Sequence, residues 1–434
     1  MQQIGAGPCR ELAMIHEEEG HQARRVVAGW RANVVLALAS FSLSIMLAEG
    51  LLRLWQIEYP VFVTPDSRFG FWHVPNAQGW WRYEGESYVE INPDGMRDIT
   101  HSRRKGAHTF RVAVLGDSFS EAFQVPFEAT FCSQLRRNLQ AMAPGGCRVE
   151  VLNFGMSGFG TGQELLVWRQ LASQFQPDLV LLAVLTGNDI ADNSRSLRGI
   201  AYLPYFVMRN GTPVLDEGYT RERSYLWRIR LTPLYNATSH SRLLQLLRKA
   251  IVTEPSPRVS GSDDAESLLT QENDSAPYSP PTDGRWSEAW ALTEELITVM
   301  DAEVRSTGAR FAVVTLSNSL QVHPNRSLRE AVARKLGVHD LFYPDSRLRL
   351  FSGRAGIPIL TLAPQMAEEA ERTEVYFHGF QPQMGVGHWN ARGHAFAGKA
   401  IARWLTDGGG TVWSSDVEES SGQRVQGCGT VSAN

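Results

Sequence analysis

From Ala32 to Ala48 the chain carries no charged residue, and the apolar run continues past Glu49 through Leu51, Leu52, Leu54 and Trp55 around Arg53. Such a stretch has two homes, the core of a folded domain or a lipid bilayer. Taken as one helix, 32–54 is roughly 34 Å long at about 1.5 Å per residue, enough to cross the hydrocarbon of a bilayer. Arg24, Arg25 and Arg31 stand just ahead of it, whereas the flank beyond it mixes Arg53 and Arg68 with Glu58 and Asp66. An arginine excess before a span puts the N-terminus in the cytoplasm. Met46-Leu47-Ala48 lacks the small residue that a signal-peptidase site requires. Cys9 precedes the run and cannot be a lipobox cysteine. The reading is an uncleaved signal anchor over 32–54. Residues 1–31 are then a short unstructured cytoplasmic segment, and the chain crosses the inner membrane once. Everything beyond about residue 56 is periplasmic.

Beyond the apolar run the chain alternates regularly. Residues 55–105 are rich in aromatics, Pro and Gly and read as a juxtamembrane region of short strands and turns, with Asn92-Pro-Asp-Gly95 a strong turn signal. Phe110–Leu115 reads as a largely apolar strand, Arg148–Phe154 as another strand and Leu179–Leu185 as a fully apolar one, and helical spacing falls between them over 127–141 and 162–175. Unalternating strands separated by helices imply βαβ units and a parallel sheet buried on both faces. The pattern breaks at an insertion over 196–285. Within it, 253–284 is a run of Ser, Pro, Asp and Glu too poor in apolar residues to fold, and is expected to be disordered and dispensable. Helices at 286–306 and 328–335, strands at 310–316 and 357–362, and a last helix at 393–405 resume the alternation. Residues 407–434 read as a flexible tail.

Composition narrows the partners. With 42 basic against 46 acidic residues the net charge is −4, which gives no support to nucleic-acid binding. Four cysteines in a chain this long are too few for a disulfide scaffold, and they lack the metal-ligand spacing of a four-Cys zinc site. Cys132 and Cys147 flank the first helix, and whether they pair is left open.

Four short motifs carry chemistry. Gly116-Asp117-Ser118 follows the first strand, at the sheet edge where open α/β folds place ligands. Asn153-Phe-Gly-Met-Ser-Gly158 follows the second, where glycine lets a backbone N–H face a substrate. Gly187-Asn188-Asp189 follows the third and offers a side-chain amide. His388-Trp-Asn-Ala-Arg-Gly-His394 precedes the last helix, on a loop able to bring a base to the same edge. Each alone is more often a turn, a cap or a structural His.

In this order and with this content the four motifs resemble the SGNH hydrolase (GDSL esterase/lipase) superfamily, over about 106–406. The resemblance implies a flavodoxin-like three-layer α/β/α sandwich with a central parallel sheet, here behind an N-terminal transmembrane helix. It implies Ser118 as nucleophile and His388 as general base. It also implies an oxyanion hole made of Ser118 N–H, Gly158 N–H and the Asn188 amide. No metal or organic cofactor is implied. A serine hydroxyl needs a base, and the tetrahedral oxyanion needs preorganised donors, so these residue types suit ester chemistry.

One departure is plain. The family places an Asp two or three residues before the His, where this chain has Gly385 and Val386. Glu374 and Asp189 are candidate substitutes, a backbone carbonyl is another, and a Ser118–His388 dyad is the favoured expectation. The function expected is an esterase for acyl groups, O-acetyl above all, on a surface or exported polysaccharide. Trp72, Trp80, Trp81 and Trp389 are available to stack on sugars. The alternatives are an O-acyltransferase using the same pair, a lipase, and a catalytically dead carbohydrate-binding component of an export machine. Protein partners cannot be read.

Overall fold

The computed structural model describes residues 8–251 and 276–407, which fall into two compact units. The first comprises the chain up to Glu58 together with His240–Val252. One helix runs unbroken from Pro8 to Leu54, so the segment ahead of the apolar run is helical from Pro8 on rather than unstructured. Glu11, Leu12, Ala13, Glu17, Glu18 and Glu19 are good helix formers, and the apolar stretch removes the nucleation cost that a short isolated helix would bear. Its Trp30–Leu54 portion is long and apolar enough to cross a membrane, and almost all of those side chains are exposed.

The second unit is built on a five-stranded, all-parallel sheet. Across it the strands lie in the order Ile359–Thr361, Arg310–Leu316, Leu179–Leu185, Thr109–Gly116, Arg148–Asn153. Numbered along the chain this is 5-4-3-1-2, the flavodoxin-like doubly wound order, with the sequence reversing direction beside the first strand. Thr109–Gly116 and Leu179–Leu185 are buried at every position because both faces are covered. Successive side chains alternate between two cores. Ala113, Leu115, Val180 and Leu182 point to one, under helices Thr161–Gln170, Gly284–Ser306 and Tyr343–Ala355. Val112, Val114, Leu181 and Ala183 point to the other, under Phe131–Met142, Leu362–Thr373 and Ala391–Thr406. These layers are the α/β/α sandwich expected.

Several boundaries move. The 55–105 region is not a separate juxtamembrane element: from Tyr59 on it belongs to the second unit, and Phe69, Trp72 and Met96 enter the first core. It forms two antiparallel hairpins, Val63–Asp66 with Gly70–His73 and Gln78–Trp81 with Ser87–Glu90. Within the insertion, Tyr205–Arg209 pairs with Thr212–Asp216 and sends Phe206 into the same core. The polar run 253–284 lies outside the described residues up to 275. Its end does not stay free: Ala276–Tyr278 is a 3-10 turn whose Tyr278 is fully buried against Leu320, Leu328 and Val332. The tail from 408 lies outside the described residues. Cys132 is a free, buried thiol, so it makes no pair with Cys147. Trp72 and Trp389 are core residues, which removes them from the sugar-stacking candidates.

Candidate active site

The site gathers at the C-terminal edge of the sheet. Thr109–Gly116 leads into Asp117, whose Oδ1 accepts from Phe119 N (3.0 Å) and caps the one-turn helix Ser118–Glu121. That cap presents Ser118 at the first helical position, with its hydroxyl outward and its N–H unused by the chain. Ser118 Oγ lies 2.9 Å from His388 Nε2.

His388 is not on a loop. It stands on the second strand of a hairpin, His378–Phe380 with Gln383–Trp389, that leads into the last helix. Trp389, packed in the core, donates Nε1–H to Ser317 Oγ (2.9 Å). Ser317 Oγ in turn lies 3.2 Å from His378 Nε2, and His378 Nδ1 donates to Gly387 O (2.6 Å). Burial pushes His378 down to about 4, so it stays neutral as this chain of bonds requires. Asn390 caps the last helix through Oδ1, accepting from Arg392 N and Gly393 N. His394, inside that helix, accepts from Phe131 N and is structural. One motif thus supplies an imidazole facing Ser118, a core anchor and a helix cap.

The carboxylate that orients His388 is neither Glu374 nor Asp189. It is Glu84, in the turn of the Gln78–Trp81/Ser87–Glu90 hairpin. Glu84 Oε2 lies 2.6 Å from His388 Nδ1, and Oε1 accepts from His388 N at 2.7 Å. Glu374 ends the Leu362–Thr373 helix in a left-handed conformation (φ 54°). Asp189 is buried with Oδ2 accepting from Leu185 N (2.8 Å). The favoured dyad is therefore replaced by the line Glu84–His388–Ser118. A carboxylate on Nδ1 fixes that proton in place and leaves the Nε2 lone pair facing the serine. Burial raises the Glu84 carboxyl, but the bond to His388 and its charge outweigh that and hold it below its ordinary value. His388 is raised above its ordinary 6.5: burial opposes the charged form, and the Glu84 bond and charge win.

The glycines explain the missing Asp. A Cβ on Gly387 (φ +75°) would fall 2.0 Å from Glu84 Oε1, so the hairpin admits Glu84 only because residue 387 has no side chain. A Cβ on Gly385 (φ +88°) would meet His323 at 2.9 Å, and Val386 packs beside the Tyr278 and Leu320 cluster.

The residues expected to serve as oxyanion donors lie on the loops after neighbouring strands. Gly158 has no close neighbour where its side chain would be: Arg198 and Phe71 are nearest at 3.8 Å. Its turn is held by Glu121, which accepts from Ser157 Oγ and from Ser157 N (3.3 Å), and whose Oε1 lies 2.6 Å from His73 Nε2. Asn188 donates one amide hydrogen to Asp192 Oδ2 (2.9 Å), which turns the amide group and leaves its second hydrogen available. Arg198 Nε reaches the other oxygen of Asp192 at 2.9 Å. Burial pushes Asp192 up to about 6, with Arg198 and Asn188 opposing it. Burial also raises Asp117 to about 7, and raises Glu164 and Asp189 well above their ordinary values.

Sequence reasoning missed Glu84, Glu121 and Asp192, since a carboxylate in a turn or a short helix carries no local mark of a distant partner. Among the described residues no group of three or more His, Cys, Asp or Glu is arranged to hold a metal ion.

No family model matches the chain. A curated arylesterase of Vibrio mimicus is 40% identical over 79 residues, which is 18% of this chain and 38% of that one. The chain thus matches well under half of that relative's length. Solved structures overlap it over longer stretches at lower similarity. One is a lipolytic protein of the G-D-S-L family from Desulfitobacterium hafniense, 12% identical with a TM-score of 0.32, covering 68% of this chain and 98% of that one. Another is a catalytic mutant of an acetylxylan esterase from Geobacillus stearothermophilus, 9% identical with a TM-score of 0.34, covering 69% and 94%. At these TM-scores the overlaps carry no assignment.

Proposed function

We propose that this chain is a serine ester hydrolase of the SGNH type, working through a Glu84–His388–Ser118 triad. The observation that carries the reading is the unbroken line from carboxylate to imidazole to hydroxyl, at 2.6 and 2.9 Å. His388 removes the Ser118 proton as Oγ attacks the acyl carbon, and Glu84 stabilises the imidazolium that forms. The N–H groups of Ser118 and Gly158 and the free amide hydrogen of Asn188 receive the oxyanion. The imidazolium then protonates the leaving alcohol, and water repeats the sequence to release the acid.

The substrate proposed is an acyl ester, O-acetyl above all, on a surface or exported polysaccharide. The hairpin that delivers Glu84 supports a sugar ligand: Tyr83 and Tyr88 are exposed, and Trp80, half-buried, meets Tyr88 edge-on at 5.6 Å. Flat aromatic faces of this kind suit sugar rings. In the same proposal Trp30–Leu54 anchors the chain in the inner membrane with the hydrolase unit in the periplasm, supported by its exposed apolar surface and the preceding arginines.

The test is incubation of the full-length protein with acetylated glycans and with a small acetate ester. Released acetate, abolished in Ser118→Ala while the fold is kept, is the expected result. Acetate moved to a sugar hydroxyl would make the protein a transferase. Binding without turnover, or serine-probe labelling away from Ser118, would overturn the reading.

A further inference from the structure

Glu49 is the single acid inside the Trp30–Leu54 stretch. An unpaired carboxylate at that place would be costly in lipid. Its two oxygens are fully occupied. Oε1 accepts from Arg53 Nε (2.8 Å) and Arg242 N (3.0 Å), and Oε2 from Ser241 Oγ (2.9 Å) and Leu243 N (3.0 Å). Three of these donors form the start of a second helix, Arg242–Ile251, whose first N–H groups have no partner within the helix. Glu49 is thus the cap of that helix, and its charge lies at the favourable end of the helix dipole. Two further bonds tie the same ends together: Arg53 Nη2 donates to His240 O (2.8 Å), and Arg242 Nη2 pairs with Glu58 Oε2 (2.5 Å).

The capped helix is amphipathic in the wrong sense for water. Its polar face is turned inward: Gln245 is 3% exposed and bonded by Arg242 Nη1 (3.2 Å). Its apolar stripe is turned outward, with Leu244 42%, Leu247 50% and Ile251 81% exposed. Positions i, i+3 and i+7 lie on one helix face. A helix on a water-soluble domain buries that face. At about 15 Å, ten residues are too short to cross a bilayer. A short amphipathic helix with a basic residue beside its apolar face suits the boundary between headgroups and acyl chains, and the exposed Lys249 provides that charge.

We propose that Arg242–Ile251 is a second membrane-contacting element, which beds Leu244, Leu247 and Ile251 into an anionic lipid surface beside the anchor and is locked to it by Glu49. The proposal rests on the anchor reading of Trp30–Leu54. It makes part of the insertion a lateral foot, so that the chain meets the bilayer at two points.

The test uses full-length protein in phosphatidylcholine vesicles containing phosphatidylglycerol, with the photoreactive residue p-benzoylphenylalanine placed singly at three positions. Phe41 reports on the anchor, Leu247 on the outward stripe and Gln245 on the inward face. Lipid adducts at 41 and 247, with none at 245, are expected. Glu49→Ala should cut the adduct at 247 several-fold and leave that at 41 unchanged. An adduct at 41 with none at 247 would overturn the proposal and spare the anchor, and cross-links from 247 to a second copy of the chain would do the same in favour of a protein contact. No lipid adduct at either position would overturn the anchor reading itself. An adduct at 247 that Glu49→Ala leaves intact would overturn the lock.

Discussion

In the proposed mechanism Glu84 is the acid that sets the state of His388. It approaches His388 across 304 positions of sequence and makes two bonds to it, to the backbone N–H and to the ring. Glu84→Gln keeps the size but loses the charge, so kcat should fall by about 10²–10⁴ with the fold intact, as triads behave when the acid is neutralised. The pH profile carries an independent signature. Only neutral His388 accepts the serine proton, so activity is lost as pH falls through the His388 pKa, and Glu84 holds that pKa above 6.5. The acid limb of kcat/KM should therefore lie above pH 6.5 in the wild type and move to lower pH in Glu84→Gln. A limb that stays where it was would show that Glu84 does not act on the imidazole. Asn188→Ala should lower kcat by about 10²–10³ with little change in KM, because its bond strengthens as the oxyanion forms. Asp192→Ala should reproduce a weaker form of the same split, since Asp192 acts by holding that amide through Oδ2.

Among the elements, two hairpins build the proposed triad. One brings Glu84, the other His388, and they meet only where Gly387 leaves room. Gly387→Ala should cost activity on the scale of Glu84→Gln, because its methyl group would displace the carboxylate. Thermal melting would show whether the variant stays folded, and a fully active variant would refute the close approach. The hairpin that bears His388 is pinned from behind by Trp389, which is fully buried and bonded to Ser317. Trp389→Ala should destabilise the hydrolase unit by about 3–5 kcal/mol, measured by denaturant unfolding.

On the scale of the whole molecule the insertion divides into parts of different weight. Residues 205–216 and Tyr278 supply core, 240–252 belongs with the N-terminal helix, and 253–275 joins them. Replacing 253–275 with a short Gly/Ser linker should leave melting temperature and esterase rate nearly unchanged, for a run so poor in apolar residues has little to bury. Extending the deletion through Tyr278 should lower the melting temperature, since it empties a buried aromatic site. Equal effects of the two deletions would refute this division.

Much of this protein can be read locally. Apolar strands buried on both faces need no knowledge of their neighbours to be recognised, and Leu179–Leu185 and Arg310–Leu316 fall where their composition puts them. Ser118, Gly158, Asn188 and His388 are legible for the same reason: each sits at the end of a strand or just before a helix, within a few residues of the glycine or cap that shapes it. The apolar run from Ala32 likewise declares its helix. Only the tertiary structure decided the pairings between distant carboxylates and their partners. Glu84 is one acid among many until two hairpins close on each other, and Glu49 is an anomaly in an apolar helix until residues 241–243 bring it their donors. A side chain's type and its local period are properties of short segments. The partner of a buried or half-buried charge is set by which segments the sheet and its helices bring together, and no short stretch of sequence carries that information.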